Sequence, residues 1–513
     1  MSTKGTSGIS RRAAASSTTA ALALLAPALL GGCAEAKPDL GRFYDQRIRW
    51  AACTGQDRPR NTEGDAAAGM QCAKLTVPVD YAEPAQGTIK IALARFHRQQ
   101  NDKGSVVTNF GGPGASGVDS LPGFREHGSR LAPGYDLVSF DPRGVGRSSP
   151  LRCGDEAAED RLERELVENA PAPGDAADDV AGAKEYAAAC HRDNGPVIDH
   201  VGTLDTARDL DVLRQALGEQ KLHYFGISYG TRLGATYAGR FPDRTGRMVL
   251  DAVDTLDLPA ERDGRALARA SQQALDAFAA DCAARAGCAL GTTADQVRGT
   301  IEAETDRLTA APVRMPGGKD FTAPDLRNAI WAALLSRSFW PQLEQGLARL
   351  VRSGDPEILA GFNQGMDSVL EGGGTEALIA VNCQDDPVRP ADPARVTAEE
   401  RKRLTAEYPY FAPMVGGLAA TCAGWPAGTG FIRGIDRPRG PEILAIGTRI
   451  DPATPYEWAE ETARKLGATL VTYDSVGHGA NGSPCVAKKI TAFYASGTLP
   501  PEGTTCPADE PTG

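Results

Sequence analysis

The sequence predicts an α/β fold with a mostly parallel central sheet, helices on both faces of the sheet and an inserted helical segment. Short runs rich in β-branched and aromatic residues alternate with segments of helical periodicity, which is the pattern of βαβ units. The later runs are almost wholly apolar, as parallel strands buried on both faces require. The chain of 513 residues is 41% hydrophobic and 24% charged, which is typical of a globular protein, and its net charge of −11 argues against a nucleic-acid partner.

Local patterns place the strands and helices of this sheet. Strands are expected at residues 88–96, 105–110, 135–140, 222–227, 247–253, 442–448 and 469–475. Helices are expected between them at residues 205–218 and 231–241. Because roughly 190 residues separate the fifth strand from the sixth, and a structureless loop of that length is implausible in a compact domain, the interval must itself be folded.

That interval, residues 256–438, is expected to be an inserted helical cap. Within it Leu326, Ile330 and Leu334 recur every four residues, which gives one apolar face on a helix. The expected organisation is a signal segment at 1–32, a first core part at 33–255, the cap at 256–438 and a second core part at 439–513.

The first 32 residues predict a bacterial lipoprotein signal peptide. Basic residues precede an apolar stretch at 18–30 that is too short to span a bilayer as a stable helix. The following Leu-Gly-Gly-Cys resembles a lipobox, in which Cys33 would receive the lipid. An ordinary secretory signal is the alternative, and the pair Arg11-Arg12 leaves a twin-arginine export route open. The expected location is outside the cytoplasm, on the cell membrane through the lipid anchor alone.

The cysteine count indicates disulfides. With Cys33 as the lipid site, ten of the eleven cysteines remain, and an even number in an exported chain indicates five bridges. The sequence does not fix their connectivity. Pairing of nearest neighbours would give Cys53–Cys72, Cys153–Cys190, Cys282–Cys288, Cys383–Cys422 and Cys485–Cys506. No Cys-x-x-Cys is present, and histidines beside cysteines are confined to Cys190-His191, so no metal site is expected.

Residues 226–230, Gly-Ile-Ser-Tyr-Gly, lie between a predicted strand and a predicted helix. A nucleophile elbow requires this context, because the serine must sit on a sharp turn with its hydroxyl exposed at the carboxyl end of the strand. The glycines permit the turn, and the helix N-terminus offers backbone N–H groups to a developing oxyanion. Ser228 is therefore the candidate nucleophile.

A serine nucleophile needs a base and an acid that orients the base, and in this type of sheet the chain order is serine, acid, histidine. Of the six histidines only His478 follows Ser228, and it lies in a glycine-rich loop after the last predicted strand. Asp451 comes directly after the preceding strand and is the expected acid. Asp251, at the end of another predicted strand, is the rival acid.

The loop Asn-Phe-Gly-Gly-Pro-Gly-Ala-Ser-Gly at 109–117 has two interpretations. Its glycines match the dinucleotide fingerprint, but Pro122 is expected to interrupt the helix that would receive a pyrophosphate, and the fingerprint normally opens a domain. Alternatively, the loop lies beside the nucleophile, and one of its backbone N–H groups donates to the oxyanion that forms on the substrate. Gly112 and Tyr229 are the expected donors, with Gly111 as the alternative to Gly112. No cofactor is then expected.

These motifs together resemble those of the secreted tripeptidyl aminopeptidases, a family of α/β-hydrolase serine peptidases related to the prolyl iminopeptidases. The resemblance rests on NFGGPGASG, DPRGVGRSS, GISYGTRLGATYAGRFP, VLDAVD, DPATPYEWA and GHG, spread in the family's order over residues 75–480. It implies the α/β-hydrolase fold, a triad of Ser228, Asp451 and His478, and an oxyanion donor in the Gly111-Gly112 pair. Phe110 replaces the histidine of related iminopeptidases, so the hydrogen bonding of this loop is expected to differ.

Asp141 and Arg143 lie in the DPRGVGRSS motif, in the loop after the third predicted strand. Both are expected to hold that loop in place by ion pairing, with substrate contact as the alternative.

The resemblance implies an aminopeptidase that releases short peptides, tripeptides foremost, from the free N-termini of peptide substrates. Such an enzyme must bind a positive α-amino group. Asp385 and Asp386, beside Cys383 in the cap, are the expected anchors, and the alternative is that both are solvated turn residues before Pro387. The residues alone indicate only a serine hydrolase. An esterase or amidase acting on small acyl substrates, and a binding lipoprotein that retains the triad, therefore stay open, and nothing indicates the oligomeric state.

Overall fold

The structure is a computed structural model. It describes residues 38–60, 66–98, 102–154, 176–257, 260–316, 318–415, 417–436, 438, 440 and 442–509. The predicted signal peptide and the predicted lipid site at Cys33 lie outside the described residues.

Twelve strands occur in the described part of the chain. They are β1 Ala51–Ala52, β2 Met70–Pro78, β3 Thr88–Phe96, β4 Ser105–Asn109, β5 Asp136–Phe140, β6 Leu222–Ile227, β7 Thr245–Asp251, β8 Val313–Arg314, β9 Asp320–Phe321, β10 Ile443–Ile450, β11 Thr469–Val476 and β12 Thr505–Pro507. All but β8 and β9 form one sheet in the order β1-β2-β3-β5-β4-β6-β7-β10-β11-β12. The pairs from β1 to β5 are antiparallel and every pair from β5 to β12 is parallel. The mostly parallel α/β sheet is confirmed.

The seven predicted strands correspond to β3, β4, β5, β6, β7, β10 and β11, with ends that agree to within two residues. The prediction missed β2, although its residues alternate between buried and more exposed positions, which is the pattern of a strand with one covered face. The very short strands β1 and β12 carry no such pattern and owe their pairing to the neighbouring strands.

Sixteen α-helices occur in the described part of the chain. They are α1 Gly41–Tyr44, α2 Gly117–Leu131, α3 Ala176–Asn194, α4 Thr203–Ala216, α5 Tyr229–Arg240, α6 Ala260–Ala284, α7 Ala294–Ala310, α8 Ala323–Leu334, α9 Trp340–Ser353, α10 Glu357–Val369, α11 Gly374–Asp385, α12 Pro393–Glu407, α13 Ala412–Val415, α14 Leu418–Thr421, α15 Tyr456–Leu466 and α16 Pro484–Ser496. The predicted helices at 205–218 and 231–241 are α4 and α5.

Helices cover both faces of the sheet. Along β6, Tyr224 belongs to an apolar cluster that includes residues of α4 and α5. The next residue, Phe225, belongs to a second cluster with Ile490 and Phe493 of α16. Because successive side chains of a strand point to opposite faces, the two clusters lie on opposite sides of the sheet. This burial on both faces explains the unbroken apolar runs of the central strands.

The expected interruption at Pro122 is wrong. Helix α2 continues through this residue, and Pro122 is itself buried on the face that carries Val118, Leu121 and Leu131. Burial of that face offsets the backbone hydrogen bond that proline cannot donate.

The segment between β7 and β10 contains the described helices α6 to α14 and a small antiparallel hairpin of β8 and β9. Leu326, Ile330 and Leu334 on α8 are fully buried in an apolar cluster formed within the segment, as their spacing predicts. Helix α11 differs, since its Ile379 and Val381 join the cluster on the sheet. The described parts of the segment and of the sheet belong to one compact unit, and the division at 256 and 438 stays a prediction.

Five disulfides join nearest neighbours along the chain. They are Cys53–Cys72, Cys153–Cys190, Cys282–Cys288, Cys383–Cys422 and Cys485–Cys506. This settles the connectivity that the sequence left open. Glu344 lies close to Cys282 and Cys288, but these two sulfurs are bonded to each other and offer no thiolate to a metal. Among the described helices, none has the length and apolar character needed to cross a bilayer.

Candidate active site

Ser228 occupies a sharp turn between the end of β6 and the start of α5. Its backbone has φ 57° and ψ −128°, a conformation that costs a residue with a side chain about 1–3 kcal/mol and is concentrated at functional sites. The flanking glycines are needed because a Cβ at Gly230 would lie 2.6 Å from the carbonyl oxygen of Asn109, and one at Gly226 would clash with the carbonyl of Gly230. The elbow predicted from the motif is therefore present in the fold.

Asp451 and His478 form a hydrogen-bonded pair at the same edge of the sheet. The Nδ1 of His478 lies 3.0 and 3.1 Å from the two carboxylate oxygens of Asp451. Asp451 is buried and also accepts the N–H groups of Ala453 and Thr454 at 2.9 and 2.8 Å. With Nδ1 bonded to the carboxylate, the Nε2 of the ring is left to exchange a proton elsewhere.

Asp251, the rival acid, connects the elbow to the histidine loop instead of orienting the imidazole. Its carbonyl oxygen accepts the Ser228 N–H at 3.0 Å. Its carboxylate accepts the N–H groups of Ala480 and Asn481 at 3.0 and 2.9 Å, and the Asn481 Nδ2 at 2.6 Å. Burial raises the pKa of Asp251, and these donors act against that rise. Asp251 thus connects the elbow of Ser228 to the loop that carries His478 by hydrogen bonds.

Thr454 is a contact of the pair that the sequence reasoning missed. Its hydroxyl donates to the Asp451 carboxylate at 2.9 Å and lies 3.3 Å from the His478 Nδ1. No local sequence pattern singles out this threonine, because its contacts with Asp451 and His478 depend on how the turn and the histidine loop come together in the fold.

The surroundings of His478 favour its protonated form. Burial lowers the stability of the imidazolium, but the carboxylates of Asp451, Asp251 and Asp254 outweigh burial and raise the pKa of His478. An imidazole that gains affinity for a proton is a better general base once the solution is alkaline enough to leave it neutral.

The glycine loop after β4 lies directly against the elbow. A Cβ at Gly111 would lie 2.9 Å from the Ser228 Cβ and 3.5 Å from its Oγ. The Gly111 N–H is engaged by the Asn109 Oδ1 at 3.1 Å, which favours Gly112 over Gly111 as an oxyanion donor. Within the described residues, the N–H groups of Gly112 and Tyr229 have no acceptor. Phe110, which replaces the family's histidine, packs edge-on against Phe124.

The N-terminus of α2 is already occupied by an internal carboxylate. Asp141 accepts the Ser116 hydroxyl at 2.6 Å and the Val118 N–H at 3.0 Å. A pyrophosphate would need these same donors, so the dinucleotide interpretation is disfavoured. Arg143 does not pair with Asp141. It is buried and forms a bidentate ion pair with Asp209 at 2.6 and 2.7 Å, which agrees with a structural role for this loop.

Asp385 and Asp386 end helix α11 and are both buried, so they are not solvated turn residues. Asp385 accepts the Thr203 hydroxyl at 2.6 Å and lies 3.4 Å from Arg232. The Thr203 hydroxyl in turn lies 2.9 Å from the hydroxyl of Tyr229. Burial raises the pKa of Asp385, against the effect of Arg232 and Thr203.

Asp386 has different partners. It accepts the Val388 N–H at 3.0 Å and lies 3.2 Å from Arg433 and 3.7 Å from Arg389. Asp385 is therefore the carboxylate that is linked to the elbow, through Thr203 and Tyr229.

Comparison with known proteins places the chain in a family. The model of the TAP-like protein family matches residues 408–506. The tripeptidyl aminopeptidase of Streptomyces lividans is 32% identical over 98% of this chain and 98% of its own length. The chain belongs to this family. The serine protease Hip1 of Mycobacterium tuberculosis is 34% identical over 93% of this chain and 94% of its own length.

A third relative in the family has a different name. Carboxylesterase B of Mycobacterium tuberculosis is 35% identical over 85% of this chain and 86% of its own length. The TAP-like chain is therefore a serine hydrolase with the α/β-hydrolase fold, and the names of its relatives support peptidase activity.

Proposed function

We propose that this TAP-like chain is a serine aminopeptidase that releases short peptides, tripeptides foremost, from the free N-termini of peptide substrates. The observation that carries the proposal is the strained elbow of Ser228 at the same sheet edge as the hydrogen-bonded pair of His478 and Asp451. The full-length similarity to a tripeptidyl aminopeptidase supports the choice of substrate.

The first half of the reaction forms an acyl-enzyme. The Ser228 Oγ attacks the carbonyl carbon of the scissile peptide bond while the His478 Nε2 takes the hydroxyl proton. Asp451 stabilises the imidazolium at Nδ1. The negative oxygen of the tetrahedral intermediate accepts hydrogen bonds from the N–H groups of Gly112 and Tyr229. The C–N bond then breaks, and His478 gives its proton to the departing amine.

The second half releases the N-terminal fragment. A water molecule attacks the ester carbonyl on Ser228, and His478 accepts the water's proton. The ester C–O bond breaks, the proton returns to the serine oxygen, and the short peptide leaves with a new carboxylate.

Asp385 is the carboxylate we propose as the anchor for the substrate's α-ammonium group, with Asp386 as its neighbour in the same turn. The contact from Asp385 through Thr203 to Tyr229 supports this, because it places the charge near the residue after the nucleophile. The cluster around Asp385 also includes Arg232 and Asp254, which lie 2.8 Å apart. Two carboxylates against one guanidinium leave a negative charge that an ammonium group would balance.

A carboxylesterase is the second candidate, and the relative named carboxylesterase B favours it. The test is a panel of matched substrates: tripeptide anilides with free N-termini, the same anilides with acetylated N-termini, and p-nitrophenyl acetate. The aminopeptidase proposal expects turnover of the free anilides at a kcat/KM well above that of the acetylated ones. Preference for the ester, with no turnover of either anilide, would favour the esterase. Ser228→Ala is the control for background hydrolysis.

For the location we propose an exported protein anchored to the cell membrane by lipid on Cys33. Five disulfides support export, because such bridges persist in oxidising compartments. Wild-type protein should partition with membranes, and Cys33→Ala should be released or remain unprocessed. If the wild-type protein and Cys33→Ala were found on membranes in equal proportion, the lipid anchor would be contradicted.

A further inference from the structure

Asn109 is the last residue of β4, and its carboxamide is buried between the glycine loop and the nucleophile elbow. The residue is 1% exposed and lies opposite Gly226 in the parallel register of β4 and β6. Its Oδ1 accepts the Gly111 N–H at 3.1 Å. On the other side, a Cβ at Gly230 would lie 2.8 Å from the same oxygen. The side chain therefore fills the space between the loop and the first turn of α5.

The hydrogen bond from Gly111 to Asn109 fixes the part of the loop that touches the nucleophile. Gly111 and Gly112 have φ values of 95° and 98°, which lie in the region that favours glycine. The N–H of Gly111 belongs to the peptide unit that directly precedes the one carrying the Gly112 N–H. Holding the first unit therefore limits the direction of the second, and the loop runs so close to the nucleophile that a Cβ at Gly111 would lie 2.9 Å from the Ser228 Cβ.

The other end of the carboxamide is not satisfied in the same way. The Nδ2 of Asn109 is buried and has no hydrogen-bond acceptor among the described residues. Leaving a buried donor unpaired costs about 1–3 kcal/mol. Natural proteins keep such a cost mainly where function requires it. In Asn109 the unpaired Nδ2 is the cost, and the hydrogen bond from the Gly111 N–H to Oδ1 is the contact that is kept.

We propose that Asn109 is a positioning residue of the oxyanion hole. It does not touch the substrate. It acts through Gly111 to hold the Gly112 N–H toward the oxygen that becomes negative when Ser228 attacks. The inference rests on the roles proposed above for Ser228 and Gly112, and it holds for ester as well as peptide substrates because both pass through the same oxyanion.

The test compares Asn109→Ala and Asn109→Ser with the wild-type protein on p-nitrophenyl acetate and on a tripeptide anilide. Removing one oxyanion donor outright costs about 10²–10³-fold in kcat, so a displaced donor in Asn109→Ala should cost roughly 10–100-fold with little change in KM. Asn109→Ser should lose less, roughly 3–10-fold, because a serine hydroxyl can accept the N–H two residues on, but more weakly. The affinity for a tripeptide aldehyde, whose adduct carries the oxyanion, should fall by the same factor as kcat.

Thr108→Val is the matched control for loss of a buried polar group. Thr108 precedes Asn109 on the same strand, is fully buried, and donates its hydroxyl to the Val138 carbonyl at 3.2 Å. This variant should lower the melting temperature without lowering kcat.

Three results would overturn the inference: wild-type kcat in Asn109→Ala, a kcat loss that merely follows the melting temperature as in Thr108→Val, or an unchanged aldehyde affinity. If Asn109→Ala does not fold, Asn109→Ser carries the same test with the smaller expected loss. Ester turnover that survives in Ser228→Ala would instead overturn the proposed function. An inactive Ser228→Ala beside a fully active Asn109→Ala would overturn only the role of Asn109.

Discussion

The backbone N–H of His478 donates a hydrogen bond of 2.7 Å to the carbonyl oxygen of Leu335, directly after helix α8. The next residue, Ser336, forms an isolated antiparallel bridge with Gly477. The inserted segment thus contacts the backbone of the proposed general base. Two further side chains of the segment, Ser271 and Trp331, donate to the carbonyl of Pro452 at 3.2 and 3.3 Å, and Pro452 directly follows the proposed acid Asp451. These contacts join the insertion to the residues proposed as the acid and the base.

Trp331→Phe should therefore lower kcat about 3–10-fold while leaving KM nearly unchanged, since it removes one hydrogen bond worth about 1 kcal/mol to the Pro452 carbonyl. Steady-state kinetics on p-nitrophenyl acetate measure the effect. Trp340→Phe is the control, because Trp340 lies in the same apolar cluster and its indole N–H has no acceptor among the described residues. Equal kcat losses in the two variants would mean that packing of the insertion, and not the contact to Pro452, matters.

Ser228→Ala should abolish turnover, and so should His478→Ala. Because the nucleophile and its base act as one unit, the double variant should be no slower than either single variant, with a loss on the order of 10⁶-fold in favourable cases. Labelling with a fluorophosphonate, followed by peptide mapping, should place the label on Ser228 and fail in Ser228→Ala. Turnover near the wild-type rate in Ser228→Ala would refute the triad.

The pH dependence of kcat/KM should report the raised pKa of His478. A general base must be neutral, so activity on a non-ionising ester should rise as pH increases through a value above the ordinary 6.5 of histidine. The protonated ring is favoured in the folded state. Its contribution to stability is therefore fully present below about pH 6.5 and is lost as pH rises through the raised pKa.

Asp254→Asn removes one of the carboxylates that raise this pKa, so the rise in activity should move to lower pH. Asp257→Asn is the control, because that carboxylate pairs with Arg433 and is not among the groups that raise the pKa of His478. A profile unchanged by Asp254→Asn would show that the titrating group is not His478 or that Asp254 does not act on it.

The sequence predicts those parts of the fold and the site that depend on local pattern. The apolar runs locate the central strands, and the strand-to-helix context of the Gly-x-Ser-x-Gly motif locates Ser228. Chain order then singles out His478, and the strand ends favour Asp451 as the acid with Asp251 as its rival. The folded geometry separates the two carboxylates.

Other features depend on contacts between distant segments and leave no local pattern. Helix α2 continues through Pro122 because burial of one helix face offsets the cost of a proline in the helix interior. The contact of Leu335 with His478 joins residues of the insertion and the core, and neither residue type is unusual for its position. The burial of Asp385 and Asp386 is likewise a result of tertiary packing, since their sequence suggests an exposed turn.

Loss of the Cys485–Cys506 disulfide should lower activity before the chain unfolds. The bridge joins the first turn of α16, shortly after the loop of His478, to β12 at the edge of the sheet. Breaking a loop of this size removes about 3 kcal/mol of stabilisation in the chain-entropy model, and small displacements of a reacting group are costly. The Cys485→Ser/Cys506→Ser double variant should lose kcat at temperatures where circular dichroism still reports the native fold.

Removal of the Cys282–Cys288 bridge, by Cys282→Ser/Cys288→Ser, serves as the control. That bridge lies at the end of α6 in the insertion, with a sequence separation of 6 residues. It should cost stability with little effect on kcat below the melting transition. If both double variants lost kcat to the same extent, the cause would be a general loss of stability, and displacement of His478 would be rejected as the explanation.

Asp385→Asn should weaken the binding of peptides with a free N-terminus by about 1–3 kcal/mol, the contribution of a hydrogen bond to a charged group or a little more. The same peptide with an acetylated N-terminus carries no charge there, so its KM should stay nearly unchanged. Asp385 accepts the Thr203 N–H on Oδ1 at 2.9 Å and the Thr203 hydroxyl on Oδ2 at 2.6 Å, so the asparagine removes the charge and one of these two acceptors. The acetylated peptide measures the loss that comes from the missing acceptor alone. Asp386→Asn, measured alongside, locates the anchor within the pair, since the loss should follow whichever carboxylate meets the ammonium group. Equal losses on the free and the acetylated peptide would mean that the substitution disturbs the elbow through Thr203 and Tyr229, and the amine-anchor role of Asp385 would then be wrong.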